Sequence, residues 1–232
     1  MRDRLNSFYV LESNAKSSST ANITFLKFEG KEYTYAEAYT IVLRYGAWLR
    51  QKHGVKPKDI VAMDFENSDT FVFLWFGLWS IGAKPAFMNY NLSGATLAHC
   101  VKSSDASLLL VDPNVAAKVT DEVRKELSNV RIVELTPDAE REILTTDPER
   151  RPDSDRSEDF GHNLAILIYT SGTTGMPKPA IVSWTKCISG GGFVSRWLGW
   201  RPGDVFYTVR WNLILDSSPR SRLKDNILTH SS

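Results

Sequence analysis

The sequence predicts an α/β fold built from βα units around a mostly parallel sheet, and three observations carry that expectation. Short apolar segments of strand length alternate with longer segments at helical spacing between Ile60 and Leu135. Gly54, Pro57, Gly82 and the pair Asp112-Pro113 punctuate the alternation where elements should end. The segment Leu164 to Tyr169 is continuously apolar, as a strand covered on both faces should be.

Thr34 opens the first helix. Its hydroxyl can accept from the backbone three residues on while Glu37 reaches back, which is a capping box. Ala38, Ile41, Val42, Tyr45, Trp48 and Leu49 then recur on one face, and Gly54 with Pro57 closes the element. Ile60 to Phe65 reads as a short strand. Ser68 or Asp69 can cap a following helix that carries the apolar run from Phe71 to Ile81. At Lys84 the run breaks, short of the ~20 residues that span a bilayer, so a buried helix is expected. Pro85 to Met88 is strand-like, Gly94 to Lys102 helical, and Ser107 to Val111 a buried strand. One helix should then carry Val115, Val119, Val123 and Leu127 as a single stripe, before a strand from Arg131 to Leu135. From Thr145 to His162 the chain is polar and of mixed charge, which predicts an exposed connector.

The chain has 232 residues, 42% hydrophobic and 24% charged, which suits a globular protein and excludes disorder throughout. Lys+Arg 28 against Asp+Glu 27 leaves a net charge of +1, so no field draws nucleic acid to it. Cys100 and Cys187 form no Cys-x-x-Cys pair and the four histidines are scattered, so neither a disulfide framework nor a metal site is expected. This cysteine usage fits an intracellular setting. Met1 to Asn6 lacks the apolar core of a secretory signal. Trp75 and Trp79, four apart, read as core or membrane-facing packing, and Gly190-Gly191-Gly192 as a flexible bend or a second anion-binding turn.

The chemistry concentrates after the Leu164 to Tyr169 strand, where the chain reads Thr170-Ser171-Gly172-Thr173-Thr174-Gly175-Met176-Pro177-Lys178. Glycines let backbone N–H groups approach an anion, hydroxyls add rotatable donors and the lysine adds a point charge. The order is neither a Walker A loop nor a Gly-x-Gly-x-x-Gly fingerprint. Taken as composition alone, the same residues also make a turn joining two strands.

The string Tyr-Thr-Ser-Gly-Thr-Thr-Gly-x-Pro-Lys resembles the phosphate-binding signature of the adenylate-forming (AMP-binding) enzymes. Leu5 to Glu12, Phe28 to Tyr35, Phe87 to Leu92 and His99-Cys100 resemble the fatty acid transport protein, or very long-chain acyl-CoA synthetase, branch. The resemblance runs from about Asp3 to Thr208 and argues against a peptide-synthetase adenylation domain. It implies the N-terminal part of that fold and a two-step reaction: a fatty acid carboxylate attacks the α-phosphorus of ATP, then coenzyme A displaces AMP. By this resemblance Thr170, Ser171, Gly172, Thr173, Thr174, Gly175 and Lys178 hold the phosphates, with Mg2+ accompanying ATP. No residue is assigned as a catalytic nucleophile or as a metal ligand, which agrees with chemistry that needs positioning and charge stabilisation. Pro179 departs from the small residue that many members place after the lysine.

The resemblance also implies a domain plan: an N-terminal α/β subdomain over 1–144, the connector over 145–162, the phosphate-loop segment over 163–208, and a divergent tail over 209–232. No Tyr-Gly-x-Thr-Glu or Thr-Gly-Asp stretch occurs in the sequence, nor the Pro-Leu-Tyr-His segment expected after Thr208. The expectation is therefore a C-terminally truncated, inactive portion of the enzyme, with a non-catalytic nucleotide- or lipid-binding fragment as the alternative. The implied partners are a fatty acid, a peripheral membrane contact and a full-length relative. The implied location is at the peroxisome, endoplasmic reticulum, lipid droplet or plasma membrane, or the cytoplasm for the truncated chain.

Overall fold

The computed structural model describes residues 5–157, 159–170 and 175–199. Along the chain these form α1 (Phe8–Lys16), β1 (Thr24–Phe28), β2 (Lys31–Thr34), α2 (Tyr35–His53), β3 (Ile60–Asp64), α3 (Asp69–Ser80) and β4 (Lys84–Phe87). There follow α4 (Gly94–Ser103), β5 (Leu108–Val111), α5 (Asp121–Glu126), β6 (Arg131–Glu134), α6 (Pro137–Thr145), β7 (Leu164–Thr170), β8 (Lys178–Ser183) and α7 (Trp184–Leu198).

The main sheet runs β6-β5-β3-β4-β7-β8, parallel except for β8, which pairs antiparallel with β7 at the edge. β1 and β2 make a separate antiparallel hairpin. Along β3 the pleat sends Val61 and Met63 into a core with Val42, Trp48, Leu49 and Leu74 from α2 and α3. Ala62 faces the other way, into a core with Leu97, Cys100 and Val101 of α4 and Val123 of α5. Helices thus cover both faces, which is why the strands are apolar throughout. The capping box holds: Glu37 N–H donates to the Thr34 hydroxyl at 3.2 Å, and Thr34 N–H to the Glu37 carboxylate at 2.8 Å. Ser68 is the cap of α3, its Oγ accepting from Phe71 N–H at 3.0 Å.

Three expectations are corrected. The stripe Val115, Val119, Val123 and Leu127 is buried, but not on one helix: a 3-10 turn over Ala116–Lys118 precedes α5. Thr120 interrupts it, taking an extended backbone and capping α5 by accepting from Val123 N–H at 3.4 Å. Gly190-Gly191-Gly192 lies inside α7 and makes no bend; Ser183 caps that helix and Gly199 ends it.

The polar stretch after α6 is a docked strap. Arg156 is 4% exposed, with its guanidinium 4.8 Å from the Phe8 ring centroid, donating to the Tyr9 hydroxyl at 3.1 Å and to the Ser80 carbonyl. Asp159, 6% exposed, pairs with buried Lys84 and accepts from Asn6 Nδ2 at 2.7 Å. Gly82 lets the strap in: a Cβ there would lie 2.0 Å from the Asp155 carbonyl oxygen, and its φ of 80° suits glycine. Mixed charge here is paired internally. Glu12 illustrates this: burial works against its charge, but hydrogen bonds from Arg150, Lys16 and Tyr39 outweigh it and hold the carboxyl at about 2.

Candidate functional site

β7 lies between β4 and β8, and its carboxyl end delivers Thr170 to the mouth of the sheet, where ligands of open α/β sheets bind. The chain returns as β8 with Thr170 opposite Lys178, and the Thr170 hydroxyl lies 3.5 Å from the Lys178 carbonyl. Cross-strand partners share a face, so the hydroxyl and the ammonium that flank the turn belong to one side of the hairpin. Both residues are exposed. Gly175 has a φ of 140°, with open space where a Cβ would stand, so this part of the turn needs glycine and leaves room beside its backbone. Ser171, Gly172, Thr173 and Thr174 lie outside the described residues. The described ends of the string belong to two antiparallel strands, with Thr170 and Lys178 paired across them.

Neighbouring strand ends add polar groups to which the sequence reading gave no role at the site. The loop after β4 is set by Asn89, whose Oδ1 accepts from Asn91 N–H at 3.0 Å. Lys118 donates to the Tyr90 carbonyl and sits 5.8 Å from that ring's centroid. At the end of β3, Asp64 is 0% exposed and neither carboxylate oxygen has a hydrogen-bond partner. Burial pushes its pKa up to about 7, with Lys118 pulling down and Asp112 pushing up. The signal was present, since one acidic side chain closes an otherwise apolar strand. His99 Nε2 lies 3.2 Å from the Pro177 carbonyl, a contact between residues remote in sequence that no local pattern announces.

Among the described residues no group of three or more His, Cys, Asp or Glu is placed to hold a metal ion, and no helix is long and apolar enough to cross a membrane. Burial pushes the Cys187 thiol up to about 11, which leaves it protonated and unsuited to nucleophilic work. Trp79 is core: it is 2% exposed, donates from Nε1 to the Ala165 carbonyl at 3.0 Å, and packs 4.8 Å from Trp184.

Residues 12–209 match the family described as AMP-binding enzyme. The chain belongs to that family. It is 39% identical over 172 residues to a very long-chain fatty acid transport protein of Saccharomyces cerevisiae, covering 69% of this chain and 25% of that protein. A very long-chain fatty acid transport protein of Cochliobolus heterostrophus is 32% identical over 208 residues, covering 88% and 31%. The chain thus spans about a quarter to a third of the length of these relatives. Among solved structures, a Mycobacterium tuberculosis fatty acyl CoA synthetase superposes with a TM-score of 0.71 at 18% identity, covering 82% of this chain and 37% of that one. The α/β architecture is therefore that of the N-terminal part of adenylate-forming enzymes, as the phosphate-loop string implied.

Proposed function

We propose that this chain supplies the triphosphate-binding part of an enzyme that activates long- or very long-chain fatty acids, through an acyl-adenylate, to acyl-CoA. The observation that carries the reading is the Tyr169-to-Lys178 string, set at the carboxyl end of β7 with Thr170 and Lys178 facing across its base. Thr170, Ser171, Gly172, Thr173, Thr174, Gly175 and Lys178 are the proposed phosphate contacts. Backbone N–H groups and hydroxyls donate to the phosphate oxygens, and Lys178 offsets charge that builds on the leaving pyrophosphate. Magnesium enters with the nucleotide, and we assign no residue of this chain to it. Coenzyme A and the fatty acid are second and third substrates of the whole reaction.

Titration of the 232-residue chain with MgATP, beside Lys178→Ala, tests the binding step. Saturable binding that the substitution weakens about tenfold or more supports it; equal binding, or none in the wild type, refutes it. Fatty acid-dependent exchange of labelled pyrophosphate into ATP then separates the enzyme from the non-catalytic reading. Because the sequence lacks the Tyr-Gly-x-Thr-Glu and Thr-Gly-Asp stretches, we expect binding without exchange from this chain alone.

A further inference from the structure

α4 crosses both arms of the phosphate-loop hairpin and touches each one residue short of a proposed phosphate contact. On the incoming arm the Tyr169 hydroxyl donates to the Cys100 carbonyl at 2.5 Å, and Ser103 Oγ lies 3.4 Å from that hydroxyl. On the outgoing arm His99 Nε2 lies 3.2 Å from the Pro177 carbonyl. A carbonyl only accepts, so the Nε2 nitrogen carries the hydrogen. Thr96, one turn earlier, places its hydroxyl 3.9 Å from Met176 Sδ. Two consecutive helix residues therefore hold the two arms, Cys100 the residue before Thr170 and His99 the residue before Lys178.

Pro177 and Pro179 have no backbone N–H, so on either side of Lys178 the outgoing arm offers only carbonyls to a backbone hydrogen bond. The Pro177 carbonyl is that residue's only backbone hydrogen-bonding group, and His99 takes it. The helix behind His99 is rigidly seated, with Leu97, Ala98, Cys100 and Val101 each at 0% exposure against the sheet. Its leading end follows directly from the loop after β4, which Asn89 and Lys118 fix.

We propose that α4 is the positioning element of the phosphate loop, with His99 as the residue that sets where Lys178 enters and Tyr169 as its counterpart on the other arm. This rests on the reading that the loop holds a triphosphate. Neither residue needs to touch the nucleotide. Loss of the His99 tether frees the arm that carries the lysine, and affinity falls because binding must then order it.

The experiment is MgATP titration of the 232-residue chain as wild type, His99→Ala, His99→Gln and Tyr169→Phe, with urea unfolding midpoints measured in parallel. Glutamine keeps an N–H donor at similar reach. Binding weakened about fivefold to tenfold in His99→Ala, restored to within about twofold in His99→Gln at an unchanged midpoint, is the expected result. Tyr169→Phe should weaken binding by a similar factor. Equal affinity in all four proteins overturns the proposal, as does a loss in His99→Ala that tracks a lowered midpoint and is not rescued by glutamine. If the wild type binds no ATP, the reading of the loop itself fails, and amide exchange decides the tether separately. The Gly175, Met176 and Lys178 amides should exchange faster in His99→Ala than in wild type, and unchanged rates there refute the hold.

Discussion

Asp64→Asn should make the protein more stable at pH 8 than the wild type while leaving the two alike near pH 4. Asp64 is fully buried, its carboxylate oxygens accept no hydrogen bond, and its pKa rises from 3.8 to about 7. The folded state therefore holds a proton that the unfolded chain releases near 3.8. Its contribution is fully present below that value, declines as pH rises, and is lost once pH passes about 7. A shift of about three units at about 1.4 kcal/mol each gives a difference on the order of 4 kcal/mol across that window. Asparagine is nearly isosteric and stays neutral, so it removes the slope without changing the packing. His53 acts in the opposite sense: burial lowers its pKa to about 4, so its contribution increases as pH rises toward 6.5. Because that term is common to both proteins, the difference between their urea unfolding free energies isolates Asp64. Measured from pH 4 to 8, the difference should grow with pH and level off above 7. Parallel profiles for wild type and Asp64→Asn would refute the reasoning.

Lys84→Met should cost about 3–5 kcal/mol by leaving the Asp159 carboxylate buried without its cation, and adding Asp159→Leu should recover much of it; chemical denaturation of the three variants checks both signs. Gly82→Ala drives a Cβ against the Asp155 carbonyl and strains a left-handed backbone, so the strap should loosen and limited proteolysis should cut within 147–157 first; an unchanged digest counts against the packed strap. On α7, Phe193 and Trp197 are 69% and 64% exposed, beside the edge strand β8 with Ile181 at 58%. Changing Phe193 and Trp197 to serine should raise the monomer fraction in analytical ultracentrifugation, and a wild type already monomeric at high concentration refutes that expectation.

The capped helices were readable because their signals are local. Thr34 with Glu37 and Ser68 with Phe71 are contacts within one turn, and the apolar faces of α2 and α3 follow from spacing alone. Spacing reports which face is buried and says less about whether the helix is continuous. Val115, Val119, Val123 and Leu127 are all buried, as a single helix would have them, yet one turn ends at Lys118 and Thr120 caps the start of another. The strap hides from the sequence for a different reason: Arg156 is buried by Phe8, Tyr9 and Ser80, residues 76 or more positions away in the chain. The glycine run in α7 was misread because glycine's cost of about 1 kcal/mol per residue is a weak prior against a helix that caps hold at both ends.

The same contrast divides the site. Its string of hydroxyls, glycines and lysine is contiguous, so a sequence alone exposes it. What meets its two described arms is a helix some seventy positions earlier, which the strand order β4-β7 brings alongside. Pro177 has no backbone N–H, so its carbonyl is its whole backbone hydrogen-bonding capacity, and that carbonyl is what His99 meets at 3.2 Å. No spacing within the string announces this partner, because only the order of strands in the sheet brings α4 and the hairpin together.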